Sequence, residues 1–212
     1  MKLYSVPLSP FAARVRLSIY RKGLDIEIVP PPAGGIKSDA YLALNPTGQI
    51  PTLVLDSGFG LPESATILEY LEDAFPTPSL RPIDPLDLAR ARLFLRLPDF
   101  HILPSVFTLR AMRDPAKRDR EVMKTQFEAL DRGLSYIDRY LSGDPWAVGD
   151  RASIADCAIV PVINVVNLIV SNFGQPDLIG RHKKLDAYWQ AAKTDEIHAK
   201  VIAEQVAALA RT

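Results

Sequence analysis

The sequence predicts an α/β unit with a mixed four-stranded sheet followed by an all-helical domain, and three observations predict it. The apolar spacing changes period repeatedly over the first eighty residues. It stays helical over nearly all the rest. Between the two, Pro76 to Pro85 holds four prolines, the composition of a linker. The expected division is residues 1–76 for the α/β unit, 77–85 for the linker and 86–212 for the helices.

Each element has its own signal. Lys2 to Val6 reads as a short strand, and Phe11 to Lys22 carries Val15, Leu17, Ile19 and Tyr20 at helical spacing before Gly23 stops it. Asp25 to Val29 reads as a second strand. Thr52 to Asp56 and Phe59 to Leu61 flank Ser57-Gly58, which predicts a hairpin with a two-residue turn. Ala65, Ile67, Leu68 and Leu71 then mark a helix ending before Pro76. Beyond the linker, Leu86 to Arg113, Lys117 to Leu141, Ile154 to Ser171, His182 to Lys193 and Ile197 to Ala210 read as helices. Pro98 and Pro104 interrupt the first of these and predict a bend, since each removes a backbone donor.

Composition removes several function classes. Lys plus Arg and Asp plus Glu each number 25, so no net field draws the chain to nucleic acid or to an anionic membrane. A single cysteine, Cys157, rules out an intrachain disulfide and a cysteine-rich metal site, and reads as a buried small hydrophobe. His101, His182 and His198 lack ligand spacing, so no metal is expected. The start lacks the apolar run of a signal peptide, and no stretch approaches the ~20 apolar residues of a membrane span, so a cytoplasmic protein is expected.

The sharpest chemical signal is Asn45-Pro46-Thr47-Gly48-Gln49-Ile50-Pro51-Thr52-Leu53, followed after the hairpin by Pro62-Glu63-Ser64-Ala65-Thr66-Ile67. Taken singly, these residues are turn formers and strand openers. Taken together they describe a site. A cis bond before Pro51 would swing the preceding peptide outward, letting the N–H and C=O of Ile50 pair with an extended ligand backbone. Glu63 and Ser64 stand at a helix start, where Ser64 can cap and the helix dipole favours an anion. Glu63 could then hold an ammonium group and Ser64 a carboxylate, the two halves of the γ-glutamyl end of glutathione.

Ser9-Pro10-Phe11-Ala12-Ala13-Arg14, the Asn45 to Leu53 run and Glu63-Ser64 together resemble the glutathione transferase superfamily over essentially the whole chain. Gly149-Asp150-Arg151-Ala152-Ser153-Ile154-Ala155-Asp156 is similar to that family's buried capping motif, with Ser153 and Asp156 as a reciprocal box. The resemblance implies a thioredoxin-like N-terminal domain that binds glutathione as cosubstrate and a homodimer. It implies that Ile50, beside a cis Pro51, pairs with the cysteinyl part, that Glu63 and Ser64 hold the γ-glutamyl end, and that Lys37, assisted by Gln49, lies near the glycine carboxylate.

Ser9 stands where serine-type members place the hydroxyl that favours the thiolate, a role compatible with capping the first helix ahead of Pro10. Tyr4 is the rival hydroxyl, because other branches use a tyrosine near the end of the first strand. Ser-Pro-Phe-Ala also resembles the Cys-Pro-Phe-Ala of thiol-transferring relatives, with serine in place of the cysteine. The electrophile site is expected between domains, with Phe11, Phe100, His101 and Phe107 as candidates and Pro104 and Met112 nearby. The implied function is transfer of glutathione to a small hydrophobic electrophile in detoxification. A glutathione-dependent isomerase, a dehalogenating or ether-cleaving enzyme, or a non-catalytic binding protein are the alternatives. The zeta-like isomerases usually carry a Ser-Ser-Cys run near Ser9, and it is absent here.

Overall fold

A computed structural model of the chain describes residues 1–175 and 177–210. Its first part contains β1 (Lys2–Tyr4), α1 (Pro10–Lys22), β2 (Glu27–Val29), α2 (Asp39–Leu42), β3 (Thr52–Val54), β4 (Gly60–Pro62) and α3 (Ser64–Ala74). The sheet runs β2-β1-β3-β4, with β1 parallel to β2 and the other neighbours antiparallel. The parallel pair follows from α1, which crosses over between the two strands. Leu3 pairs with Leu53 in register, and both are buried with Val15, Ile19, Ile67 and Leu71, so one face of the sheet is sealed by α1 and α3. This is the expected thioredoxin-like unit.

The hairpin differs from its prediction. Leu55 donates its N–H to Phe59 C=O and Gly58 donates to Leu55 C=O, both at 2.9 Å, so the loop has three residues rather than two. Gly58 lies at φ 85°, the left-handed residue that closes such a loop and that a side chain would strain.

The second part contains α4 (Pro85–His101), α5 (Leu103–Ala111), α6 (Arg120–Tyr140), α7 (Ile154–Ser171), α8 (Lys183–Ala192) and α9 (Glu196–Leu209). The expected helix over Leu86 to Arg113 is two helices that break at Ile102, with φ −121° and ψ −57°. Pro98 lies inside α4 and Pro104 in the first turn of α5, where a missing N–H costs nothing. Gly133 of α6 packs into this break; a Cβ there would stand 2.4 Å from the His101 carbonyl oxygen. The expected capping box is present: Ser153 accepts from Ala155 N–H at 3.2 Å, and Asp156 accepts from Ser153 N–H at 2.8 Å. Asp156 also takes bonds from Ala147 N–H and the Tyr188 hydroxyl.

One expectation needs correcting. α7 is 18 residues long and apolar enough to cross a membrane by composition, but 83% of it is buried within the protein, as the central helix of the bundle. It packs against α1 as well as α4, and Ala13, Leu17 and Leu68 of the sheet unit share one apolar cluster with it. The linker is docked too. Lys22 and Glu72 form a buried ion pair at 2.8 Å, Lys22 also donates to Pro78 C=O, and Glu72 accepts from Leu80 N–H. A buried ammonium and carboxylate offset their desolvation through such pairing and added hydrogen bonds.

Candidate active site

The segment before β3 is built by Asn45. Its side-chain amide donates to Gln49 C=O and to Thr52 Oγ1, both at 2.9 Å, while its oxygen accepts from Thr47 N–H and the Thr47 hydroxyl. Asn45 is only 1% exposed, so the full use of its hydrogen-bonding capacity is what permits its burial. The Tyr41 hydroxyl donates to Gln49 C=O at 2.6 Å, and burial raises its pKa, keeping it protonated as a donor. The Ile50–Pro51 peptide is cis, as expected. Among the described residues, neither the N–H nor the C=O of Ile50 has a partner within the chain. An extended ligand backbone could therefore pair with both.

Across a cleft stands the start of α3. The cleft is lined by Phe11, Asn45, Thr47, Gln49, Ile50, Pro51, Pro62, Glu63 and Ser64, bringing five predicted glutathione-binding residues together. Ser64 is the first residue of α3 rather than its cap, which corrects the expected capping role. The cap position is Glu63, held at φ 68° with no side-chain cap bond. A non-glycine residue in that region carries strain, of a kind that tends to persist where structure holds a side chain in a set place. With no side chain capping α3, its first-turn N–H groups remain available to an anion.

Ser64 has a partner that local patterns do not reveal. The Arg14 guanidinium, fully buried, donates to Ser64 Oγ at 3.3 Å and makes two bonds to Asp99 on α4, the shorter 2.8 Å. It also lies 5.2 Å from the Phe11 ring centroid. The signal available in sequence was an arginine among Ala12, Ala13 and Val15 on a helix with a core face. Asp99 lies 85 residues away, and no spacing rule reaches that far.

Ser9 caps α1, accepting from Ala12 N–H at 3.3 Å, with Pro10 at the first helical position. Its own hydroxyl proton has no acceptor among the described residues. Ser9 does not line the cleft, but Phe11, two residues on, does. Arg16 fixes the approach to it, donating to Ser5 Oγ at 2.7 Å, to Val6 C=O at 3.3 Å and to Pro7 C=O at 2.8 Å. Tyr4, the rival, packs edge-on against Tyr41 at 5.5 Å between ring centroids and does not line the cleft. Lys37 lies outside the lining as well, beside the Thr47–Gly48 turn, where its ammonium is 3.4 Å from Thr47 C=O.

The four candidates for the electrophile site separate. Phe11 and Phe107 stack at 6.3 Å between centroids, joining α1 to α5 next to the cleft. Phe100 lies under Arg96, and His101 meets Tyr136 edge-on; neither lines the cleft or the apolar pocket beside Phe107. Burial raises the Cys157 thiol pKa, so this thiol stays neutral and enclosed. Among the described residues no group of three or more His, Cys, Asp or Glu could hold a metal ion.

Comparison with known proteins matches residues 3–79 to the N-terminal domain of glutathione S-transferase and residues 99–193 to its C-terminal domain. The chain is 35% identical to maleylacetoacetate isomerase of Pseudomonas aeruginosa, over 76% of this chain and 79% of that one. It is 31% identical to glutathione S-transferase 3 of Zea mays, over 96% and 93%. Among solved structures it superposes with a TM-score of 0.76 and 30% identity on a glutathione S-transferase from Methylobacterium radiotolerans in complex with glutathione sulfonate, covering 95% of this chain and 93% of that one.

Proposed function

The chain belongs to the glutathione S-transferase family, and from that premise we propose that it binds glutathione in the cleft between Ile50 and the start of α3 and transfers it to a small hydrophobic electrophile. The observation that carries the reading is the unpartnered Ile50 peptide facing, across one cleft, an uncapped helix start that bears Glu63 and Ser64. Ile50 would pair with the peptide backbone of glutathione, Glu63 with its ammonium and Ser64, with the α3 N–H groups, with its γ-glutamyl carboxylate. Lys37 and Gln49 would serve the glycine end. Glutathione supplies the thiol when bound. Ser9, its proton uncommitted, would donate to the sulfur and so favour the charged form, a one-unit drop in thiol pKa being worth about 1.4 kcal/mol. The reading includes a homodimer working in the cytoplasm.

A second reading is glutathione-dependent isomerisation, favoured by the 35% identity to maleylacetoacetate isomerase. Both readings use the same residues on the glutathione side. Calorimetric titration with glutathione, followed by turnover assays with a panel of aryl halides, activated alkenes and maleylacetoacetate, separates them. Absence of any glutathione binding would refute both, while binding with isomerisation alone would select the second.

A further inference from the structure

Two buried arginines stand two residues apart on α1 and serve different places. Successive helix positions are turned by about 100°, so Arg14 and Arg16 face nearly opposite ways. Arg14 reaches Ser64, on the γ-glutamyl side. Arg16 reaches the segment that leads into Ser9. It lies seven residues after Ser9, about two turns on and on the same face, and helical side chains lean toward the N-terminus, so its guanidinium runs back to the loop ahead of the helix.

That loop is held mainly through its backbone. Ser5 N–H is fastened to Val29 C=O at 2.9 Å, but Val6 and Pro7 after it are exposed. Val6 C=O accepts from Ser9 N–H at 3.0 Å, a turn that ties the Ser9 backbone to Val6. Arg16, 3% exposed, donates to this same carbonyl at 3.3 Å, to Pro7 C=O at 2.8 Å and to Ser5 Oγ at 2.7 Å. Its Nε donates to Glu204 Oε2 at 2.8 Å, so four bonds account for the burial of the guanidinium. Tyr20, one turn after Arg16, donates to the same Glu204 and has the Lys200 ammonium 3.6 Å from its ring centroid, so α9 grips α1 where α1 holds the loop.

We propose that Arg16 is a positioning residue for the thiolate: it fixes the Val6 and Pro7 carbonyls and, through the Ser9 N–H bond, the place of the Ser9 hydroxyl against the glutathione sulfur. The inference rests on the reading that Ser9 meets that sulfur. Ser9 Oγ already accepts from Ala12 N–H, so its proton is aimed only as the backbone sets it. A small displacement of the loop weakens the bond to the thiolate while the Ile50 and Glu63 contacts stay. Lysine at this position would keep the charge, but a single ammonium cannot span Glu204 and two carbonyls as the guanidinium fork does.

The test is ultraviolet titration of the thiolate of bound glutathione in Arg16→Lys and Arg16→Met, each alone and combined with Ser9→Ala. Arg16→Lys should raise the thiol pKa by at least about 0.5, roughly a threefold loss of thiolate at equilibrium, and kcat should fall with it. Glutathione affinity on the acid side of the titration should change by less than about twofold, which loss of the fold would not allow. In the Ser9→Ala background neither substitution should move the titration further, because the hydroxyl through which Arg16 acts is gone. An unchanged titration in folded Arg16→Lys overturns the inference and leaves glutathione binding in place. A shift of equal size with and without Ser9 does the same, since Arg16 would then act by its field rather than through the hydroxyl. If Arg16→Met does not fold, Arg16→Lys decides alone. Failure of the wild-type protein to bind glutathione would overturn both the inference and the reading beneath it.

Discussion

Arg16 on α1 joins Glu204, in the last helix, to the backbone carbonyls of Val6 and Pro7 just ahead of Ser9, with a 2.8 Å bond to Glu204 Oε2. Glu204 also accepts from the Tyr20 hydroxyl, whose pKa is pushed up to about 12 by burial and by that bond. The loop that presents the candidate catalytic hydroxyl is therefore braced from the opposite end of the chain. Glu204→Ala should destabilise the protein by about 1.5–3 kcal/mol, the worth of a bond to a charged group. Urea unfolding would measure this. An unchanged midpoint would show that Arg16 holds the loop without its carboxylate.

Asp99→Leu should cost more, about 3–5 kcal/mol, because it leaves the fully buried Arg14 without a counter-ion. Replacing both partners, with Arg14→Met added, should recover much of the loss, as apolar substitutes do not need pairing. The double variant should still bind glutathione more weakly, since Ser64 has lost the guanidinium that positions it. Thermal unfolding of the three variants, with glutathione titration of each, checks both parts.

Glu63 allows strain and binding to be separated. At φ 68°, Glu63→Gly should match or exceed wild-type stability, by up to about 1 kcal/mol, whereas Glu63→Ala keeps the unfavourable conformation. Both should lose glutathione affinity by roughly tenfold or more, the cost of one charge-assisted bond. Unaltered affinity in both variants would remove Glu63 from the γ-glutamyl site.

Ser9→Ala should raise the thiol pKa of bound glutathione and lower turnover, with a much smaller change in glutathione affinity, since the Ile50 and Glu63 contacts survive. Ultraviolet titration of the thiolate reads the first effect directly. Ser9→Cys should open thiol-disulfide exchange as conjugation falls. Full activity and an unshifted titration in Ser9→Ala, with both lost in Tyr4→Phe, would reassign the role to Tyr4.

His198 sets an acid limit on stability. It is 1% exposed, its Nε2 has no partner among the described residues, and burial lowers its pKa below the ordinary 6.5; Arg21 lowers it further, while Asp156, Asp195 and the Ala192 carbonyl raise it. Because the unfolded chain binds the proton more readily, stability should decline as pH falls from about 6.5 through the folded value. His198→Gln should flatten that slope in a series of denaturant titrations across pH 7 to 5. The lowered Asp195 adds its own loss only below its ordinary 3.8.

The parts legible in the sequence were those written in local backbone chemistry. Asn45, Gly48 and Pro51 encode a loop whose shape depends on few distant contacts, so the Ile50 site could be read residue by residue. Ser153 and Asp156 lie three apart and could be read in the same way. What escaped depended on distance or on a single torsion. Arg14 and Asp99 meet only because α1 and α4 both pack against α7; Ser64 begins its helix rather than capping it because Glu63 takes a left-handed turn; and the apolar pocket beside Phe107 draws Leu8, Phe107 and Leu168 from three separate segments.

The position of α1 between the sheet and α7 has a consequence for how such chains diversify. Ala13 and Leu17 of α1 are buried in the cluster that contains α7, while Val15 and Ile19 seal the sheet, so one helix is shared by both halves of the gene product. A recombination event that exchanged the helical half as a cassette would bring a foreign surface against α1 and shift the turn that carries Ser9. Point changes beyond Phe107 and its stack on Phe11 should therefore disturb the Ser9 turn less than swapping the domain that packs on α1.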